Sequence, residues 1–420
     1  MLKHILIVFV ALISLNTVAQ EGSASPYSFY GVGELKFRGT VENKSMGGLS
    51  MYSDSIHLNM LNPATLGKLK LTNFNIGGNQ KFTTLKTSVE SAKGSTTTLD
   101  YVAVGLPMGK LGMSFGLIPY SSVGYKTGFT NHRTATIGEG RYEGSGGVNR
   151  IFVAAGYQLN NKFSLGIDVN YNFGKIATEA IEITSDEPDH YDSLEVNETN
   201  LNGLGANLAL NYTTKLKNGL EFVSGLTFSP EVNLDSKNKR RTSSIKFNND
   251  GQVAGERDII ESETTDMNTK LPSKLTLGAG IGKSKKWFTG IDISTISTNK
   301  LNNRTFNNAN TEFKSATRIA LGGFYIPKYN SLTSYGSRVT YRAGLRYENT
   351  GLVIKNEDIN EFGISFGVGL PVGRKLSNVN LGFEYGSRGT TSSNLVKENF
   401  FNLNISLSLN DKWFQKRKID

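Results

Sequence analysis

A strict alternation of apolar and polar residues runs along residues 162–174. The odd-numbered positions are apolar: Phe163, Leu165, Ile167, Val169, Tyr171 and Phe173. The even-numbered positions are polar or glycine: Lys162, Ser164, Gly166, Asp168, Asn170, Asn172 and Gly174. Because successive side chains of a β-strand point to opposite faces, the segment predicts a strand with one apolar face and one polar face.

The same alternation recurs along the chain and predicts fourteen strands. They are predicted at 71–82, 99–108, 111–125, 145–159, 162–178, 199–215, 219–234, 268–282, 286–299, 313–327, 337–350, 360–372, 377–390 and 399–411. Short turns alternate with longer polar loops, predicted at 83–98, 126–144, 179–198, 235–267, 300–312, 351–359 and 391–398. An even number of strands with short periplasmic turns and long outer loops is typical of outer-membrane barrels. The predicted fold class is therefore all-β: a transmembrane antiparallel β-barrel of about 14 strands with an N-terminal hatch in the lumen.

The ends of the chain are predicted to have other roles. Residues 1–19 have the pattern of a secretory signal peptide, with Lys3 near the start, a short apolar run and cleavage near Ala19. Residues 20–70 do not alternate and have the pattern of compact turns with one helical turn; a family resemblance of the chain implies that they form a hatch, or plug, segment. The barrel follows at 71–411, and 412–420 form a basic periplasmic tail. The expected location is the cell outer membrane.

Composition narrows the function. The chain has no cysteine, which excludes disulfides and thiolate metal sites, and its four histidines have no metal-ligand spacing. The formal net charge is +10, but the basic residues are scattered and lack the aromatic platform of nucleic-acid binding proteins. Two Gly-x-Ser-x-Gly motifs, at 112–116 and 363–367, lie in the middle of predicted strands and not at a strand-to-helix turn. We expect no enzyme, no metal, no cofactor and no nucleic-acid partner.

Several charged residues fall on the predicted inward face. They are Asp168, Asp292, Arg318, Arg342, Arg346, Glu384 and Arg388. An Arg or Lys facing lipid near the midplane costs ~2–4 kcal/mol, so these side chains are expected to pair with one another or to meet water. One interpretation is a salt-bridge network that stiffens the lumen. The other makes Arg318, Arg342 and Arg346 anchors for an anionic group of a ligand.

The predicted hatch contains Gly47, Gly48, Asn59 and the tripeptide Asn62-Pro63-Ala64 just before the first strand. Pro63 fixes its own φ and biases Asn62 toward an extended conformation. The Asn62 side chain can then bond to neighbouring backbone and close a local turn. We expect these residues to fix the hatch without touching a substrate. The alternative is an ordinary turn at the surface.

The stretch 157–176 resembles the corresponding part of the FadL/TodX long-chain fatty-acid transporters. Three other segments agree in order: Asn62-Pro63-Ala64 after a glycine-rich segment, Lys270-Leu271-Pro272 after the longest loop, and 313–322, which contains Arg318. The similarity covers nearly all of the mature chain.

This resemblance implies a fourteen-stranded barrel, plugged by its N-terminal segment, for passive uptake of hydrophobic compounds such as long-chain fatty acids. It also implies lateral exit at a kinked third strand, for which Gly116, Pro119 and Gly124 are the candidates here. Pro119 cannot donate a ladder hydrogen bond, so a local break is reasonable, and a bulge without function is the alternative. The expected partners are the lipid bilayer, lipopolysaccharide and a hydrophobic small molecule.

The chain departs from those transporters in its outer loops. They carry apolar helical elements that first catch the ligand, whereas here the 179–198 loop is short and acidic. The 235–267 loop is polar, and its 243–247 and 257–263 pieces have the pattern of strand extensions. The same superfamily also includes barrels such as PorV, which are subunits of a type IX protein-secretion machine. A non-transporting subunit of a larger secretion barrel is therefore the alternative function.

Overall fold

The computed structural model describes residues 22–128, 135–184, 190–248, 253–301, 310–373 and 377–412, without the side chain of Met267. The predicted signal peptide, 1–19, lies outside the described residues, as do residues 413–420 of the predicted tail. Within the described part of the chain, no helix combines the length and the apolar character needed to cross a bilayer.

Fourteen antiparallel strands form a closed barrel, which confirms the predicted fold class. They are β1 Thr72–Lys86, β2 Ser91–Met108, β3 Leu111–Gly128, β4 Gly140–Gln158, β5 Phe163–Glu182, β6 Asp192–Lys215, β7 Glu221–Ser229 with Val232–Phe247, β8 Val253–Leu271 with Lys274–Lys283, β9 Trp287–Ile296, β10 Thr311–Phe313 with Ala316–Tyr325, β11 Thr340–Ile354, β12 Glu357–Val372, β13 Ser377–Arg388 and β14 Lys397–Asp411. Each pairs with the next, and β14 pairs with β1, with Leu403 opposite Gln80. Closure leaves no sheet edge along the membrane-spanning part of the wall at this seam.

Two of the broken strands bend at prolines. Pro230 separates the two parts of β7, and Pro272 separates the two parts of β8. The two breaks lie side by side, because Leu271 is opposite Val232 above them and Lys274 is opposite Ser229 below them. Proline has no N–H to donate to a ladder, so the sheet bends where both prolines fall.

The outer surface of the wall is apolar and its inner surface is polar, as the alternation predicts. On β5, Val169 is 51% exposed while the neighbouring Asn170 and Asn172 are buried. The seven charged residues predicted to face inward include Asp168, Asp292, Arg342 and Glu384, all of which are buried. A soluble protein buries the apolar face, so this inverted pattern is typical of a barrel surrounded by lipid.

The predicted outer loops are too long. The strands continue to Lys86 and resume at Ser91, so the 83–98 loop is reduced to residues 87–90, and the 351–359 loop is reduced to Lys355 and Asn356. The 235–267 loop is a hairpin of the outer parts of β7 and β8, as its strand-like pieces suggested. Sequence alternation ends where both faces of a strand meet water, so it cannot mark the outer ends of strands.

The N-terminal segment, residues 22–71, runs along the inner side of the wall. It contains a two-residue strand, Glu34–Leu35, and one helical turn, α1 Val41–Lys44. Its two 3₁₀ turns are Pro26–Phe29 and Pro63–Lys68. The 3₁₀ turns described between strands of the barrel are Lys217–Gly219, Thr298–Lys300, Gly336–Arg338 and Ser392–Asn394. Because the N-terminal segment has so little regular structure, most of its backbone groups need partners from elsewhere.

Inward-facing glycines of the wall let this segment approach backbone to backbone. A Cβ atom added to Gly112 would lie 2.0 Å from the carbonyl oxygen of Leu66, and one added to Gly344 would lie 2.1 Å from the amide nitrogen of Gly47. Similar contacts with backbone occur at Gly156, Gly166 and Gly322, and Gly367 and Gly382 lie against the Ser45 side chain. The two Gly-x-Ser-x-Gly motifs supply Gly112 and Gly367 to this surface, and Ser365 accepts a hydrogen bond from the Gly47 amide at 3.1 Å. Both motifs therefore belong to the surface of the wall that contacts the N-terminal segment.

Replacing Gly344 by Val should displace the N-terminal segment while leaving the barrel closed. The added side chain would occupy the space of the Gly47 backbone, which cannot move aside as a flexible side chain would. The expected result is faster proteolysis of residues 22–71 with unchanged heat-modifiable gel migration. Ala343→Val is the matched control, because Ala343 is the exposed neighbour on the outer face. Equal protease resistance of the two variants would contradict the prediction.

Candidate functional site

A cavity of about 270 Å³, here called the lumenal cavity, lies between the N-terminal segment and the wall. Its apolar lining residues include Val232, Leu271, Ile296, Leu301, Phe313, Leu352 and Ile359. Tyr27, Tyr30 and Phe37 of the N-terminal segment and Tyr120 and Phe400 of the wall add aromatic surface. Charged residues line the same cavity, so it offers both apolar and polar surface to a small molecule.

A network of ion pairs also lines the lumenal cavity. Arg346 pairs with Glu361 and, at 2.6 Å, with Glu384. Arg388 pairs with Glu361 and, at 3.2 Å, with Glu34 of the N-terminal segment. Lys81 reaches Glu34 at 2.8 Å, and Asn402 donates to Glu384 at 2.8 Å. The network therefore joins five strands of the wall to the N-terminal segment, which is the salt-bridge interpretation of Arg346.

A second group of cations has no carboxylate partner at bonding distance. Lys274 lies in electrostatic range of Arg38 and Arg318, and the carboxylates of Glu348 and Asp292 are further neighbours of this group. Within the described part of the chain, none of the three cations forms an ion pair. Arg318 donates to the Gly47 carbonyl at 2.8 Å, but its Nε has no hydrogen-bond partner. Unpaired positive charge beside an apolar surface favours an anionic group.

The three arginines predicted as anchors do not share one cavity. Arg318 and Arg346 line the lumenal cavity, whereas Arg342 lines a separate cavity of about 1020 Å³ at the end of the barrel with the short turns. The N-terminal segment passes between them, because Gly344 lies against the Gly47 backbone. Arg342 donates to Asn380 at 3.2 Å. Sharing a strand face therefore does not place Arg342 and Arg346 at one site.

The predicted hatch residues are buried contacts of the N-terminal segment. Asn62 is fully buried and precedes the Pro63–Lys68 turn, where its side-chain oxygen accepts from the Ala64 amide at 3.1 Å. Asn59 donates to the carbonyl oxygens of Ser50 at 2.7 Å and Tyr52 at 2.9 Å. Gly47 and Gly48 have φ of +70° and +90°, which glycine adopts without strain. Of these residues, Gly47 and Gly48 border the lumenal cavity, whereas Asn59, Asn62, Pro63 and Ala64 do not.

The third strand is irregular where the sequence predicts a kink. The β2–β3 ladder ends at the pair of Val102 with Leu117, one residue beyond Gly116. The pairing of β3 with β4 shifts register between Pro119 and Ser121. Above this point the structure gives β3 no rungs to β2, so the wall has a gap on this side of β3. Leu99 and Leu117, on the two strands beside the gap, are exposed, which places the gap at the apolar surface.

The N-terminal segment closes this gap. Glu34 and Leu35 pair with Ser122 and Ser121 of β3. The Lys36 amide donates to the Tyr120 carbonyl oxygen at 2.9 Å. The Gly124 amide, at the third predicted kink residue, donates to the Ser28 hydroxyl at 3.1 Å. Beyond Leu117, the backbone of β3 is therefore hydrogen-bonded to the N-terminal segment and no longer to β2.

Sequence reasoning missed several residues of the lumenal cavity. Lys274 and Glu361 lie at inward positions of predicted strands, so the same alternation that found Arg318 contained the signal for them. Glu34 and Arg38 lie in the non-alternating segment, where no periodic pattern marks which side chains face the wall.

A His–Asp pair lies in the N-terminal segment beside the larger cavity. His57 Nδ1 and Asp54 Oδ2 are 2.5 Å apart, and Asp54 also accepts from the amides of Ile56 and His57. Burial lowers the pKa of His57, but the Asp54 carboxylate raises it, and the net shift is upward. A raised pKa means that the pair contributes stability fully below about 6.5 and loses it as the pH rises through the folded-state pKa.

His57→Gln should therefore loosen the N-terminal segment in a pH-dependent way. We expect faster proteolysis of residues 22–71 than in the unchanged chain at about pH 6, and a smaller difference as the pH rises through the folded-state pKa and the imidazole becomes neutral. His190→Gln is the matched control, because His190 pairs with Asp192 near the outer ends of the strands. A difference that grows with pH would contradict the assigned sign.

A closed fourteen-stranded barrel with an apolar outer face defines the class of outer-membrane channel folds, and solved structures of that class match the chain. The Pseudomonas putida toluene transporter TodX matches at 18% identity and a TM-score of 0.63, over 91% of this chain and 100% of that one. The Ralstonia pickettii toluene transporter TbuX matches at 14% identity and 0.63, over 89% and 99%. A Pseudomonas aeruginosa FadL homologue matches at 11% identity and 0.61, over 90% and 98%. At these identities the likeness establishes the fold.

The sequence model of the BamG family matches residues 1–420, and the chain belongs to the BamG family. No curated protein matches the chain.

Proposed function

We propose that this protein is an outer-membrane barrel for passive uptake of hydrophobic compounds, which leave the lumenal cavity sideways between β2 and β3. The observation that carries the proposal is the gap beside β3, where the β2–β3 ladder ends and Glu34 and Leu35 of the N-terminal segment pair with β3 instead. Glu34 and Leu35 both line the lumenal cavity, so the piece of chain that closes the gap also borders the cavity. Opening the gap requires release of this stretch of the N-terminal segment, including the ion pairs of Glu34 with Lys81 and Arg388, but it does not require two paired strands of the wall to separate.

The lumenal cavity favours amphiphiles with an anionic head over neutral compounds. Arg38, Lys274 and Arg318 are cationic groups without a carboxylate at bonding distance, and apolar residues line the same cavity. Charge-assisted hydrogen bonds to a carboxylate would satisfy donors such as Arg318 Nε, which has no partner. Toluene transporters have the same fold, and a neutral aromatic compound would use the apolar lining residues alone.

Locking the N-terminal strand to β3 should stop uptake. Leu35 and Ser121 lie directly opposite each other, and the chain has no native cysteine, so Leu35→Cys with Ser121→Cys provides the only thiols. Bridging them by oxidation or with a short thiol-reactive linker should reduce oleate uptake into proteoliposomes about tenfold or more, with recovery after cleavage of the bridge. The matched control is Ser121→Cys with Val148→Cys, which bridges β3 to its wall neighbour β4.

Two failures of that experiment have different meanings. Full uptake through the bridged protein would exclude lateral exit at this gap but leave transport intact. No uptake by the unchanged protein, with either oleate or toluene as the probe, would exclude transport itself.

Removing one unpaired cation should separate the two ligand classes. We expect Lys274→Met to lower oleate uptake roughly tenfold, the effect of losing one hydrogen bond to a charged group, while toluene uptake changes little. Lys283→Met is the control, since Lys283 lines the larger cavity at the other side of the N-terminal segment. Equal effects on both probes would show that Lys274 acts through structure alone.

A non-transporting subunit of a larger outer-membrane complex is the second candidate. The ion network favours it, because Arg346, Arg388 and their carboxylates tie the N-terminal segment to the wall across the lumen. Copurification with a larger secretion barrel, together with absence of uptake, would support this candidate.

A further inference from the structure

The outer part of β8, residues Val253–Leu271, has one paired edge and one free edge. It pairs only with the outer part of β7, from Val253 opposite Phe247 to Leu271 opposite Val232. The next strand of the wall, β9, ends at Ile296, whose partner is Lys274, so it does not reach this level. Within the described part of the chain, nothing else pairs with these 19 residues, here called the outer edge.

The outer edge is long for an unpaired strand. At 3.3 Å per residue its 19 residues extend about 60 Å, whereas free edges in stable proteins are kept short, bulged or covered. Both faces are exposed from Ala254 to Asp266, and the register shifts confine bulges to Val253–Glu261. Ile259 and Ile260, at one of these bulges, are 62% and 68% exposed. Unpaired N–H and C=O groups along such a strand are a template for another strand.

The charges of the outer edge select its occupant. Five carboxylates lie along it, with Arg257 among them: Glu256, Asp258, Glu261, Glu263 and Asp266. The basic residues of this hairpin, such as Lys237, Lys239 and Arg241, lie on β7, one strand further from the free side. An approaching strand therefore meets the acidic strand first.

The same charges disfavour a second copy of this chain. Antiparallel self-pairing centred on Ser262 would set Glu261 opposite Glu263 and Asp258 opposite Asp266, and parallel pairing in register would set every carboxylate against itself. Like charges directly opposite each other destabilise a strand pair. A strand with Lys or Arg at alternate positions would instead place positive charge opposite Glu261 and Glu263, which share one face of the outer edge.

We propose that the outer edge binds an extended, basic strand of a partner protein by strand addition on the side of the barrel away from the short turns. Main-chain hydrogen bonds supply the affinity, and the carboxylates select for a basic partner. The exposed side chains of Ile259 and Ile260 add apolar contacts. This inference does not depend on the transport proposal.

The test uses the purified full chain in detergent and two peptides of about a dozen residues, alternating Lys with Thr or Glu with Thr. The Lys peptide should bind, and it should slow amide hydrogen exchange of residues 253–266 about tenfold or more, because edge amides become hydrogen-bonded. The Glu peptide should not bind. Glu261→Lys with Glu263→Lys should weaken the Lys peptide roughly tenfold. Glu312→Lys, a matched change at an exposed site on β10, should have no effect.

Each of three other outcomes would overturn the proposal. Binding of the Lys peptide without slower exchange at 253–266 would show ionic attraction without strand addition. A dimer of the unchanged chain with a protected outer edge would make a second copy the occupant. Protection that disappears when residues 302–309 are replaced by a short glycine linker would make the chain's own segment the occupant. Unchanged heat-modifiable migration verifies that every variant is folded.

Discussion

Hydrocarbon offers no hydrogen bonds, so every backbone N–H and C=O at membrane depth needs a partner inside the protein. The barrel meets this requirement by closing β14 onto β1. The exception is β3 above Leu117, where the ladder to β2 ends. There the N-terminal segment supplies the missing partners through Glu34, Leu35 and Ser28. Wall and N-terminal segment are therefore one hydrogen-bonded unit, and neither is complete at this place without the other.

The same requirement explains the inner face of the wall. A segment with one helical turn and a two-residue strand cannot satisfy its own backbone, so wall side chains do so. Asp292 accepts from the Ser50 amide at 2.7 Å, and Asn211 donates to the Met51 carbonyl at 3.0 Å. Glycines between such residues allow the close approach that these bonds need. Many inward polar residues therefore serve the N-terminal segment, and the unpaired cations around Lys274 differ from them because no carboxylate pairs with them.

The membrane-spanning part of the fold could be predicted because one face of each strand must be apolar. Strand number, strand faces and the inward charges follow from that period-2 pattern alone. The outer ends of strands could not be predicted, because residues such as 91–98 are polar on both faces. The site was only partly predictable for a different reason. Alternation shows that Arg342 and Arg346 share one face of a strand. It does not show that the Gly47 backbone lies against the inner face of the wall between them.

Water changes the outcome of the same constraint outside the membrane. The outer edge has as many unpaired backbone groups per residue as β3 has beside the gap, yet no segment of the described chain covers it. Water can satisfy those groups at no cost to folding, so the sequence need only keep the strand from pairing wrongly. Its carboxylates do this against like-charged strands. Lipid surrounds the gap at β3, so the chain closes it with its own N-terminal segment. Water surrounds the outer edge, so its backbone groups need no partner from the described part of the chain, and its carboxylates select against acidic strands.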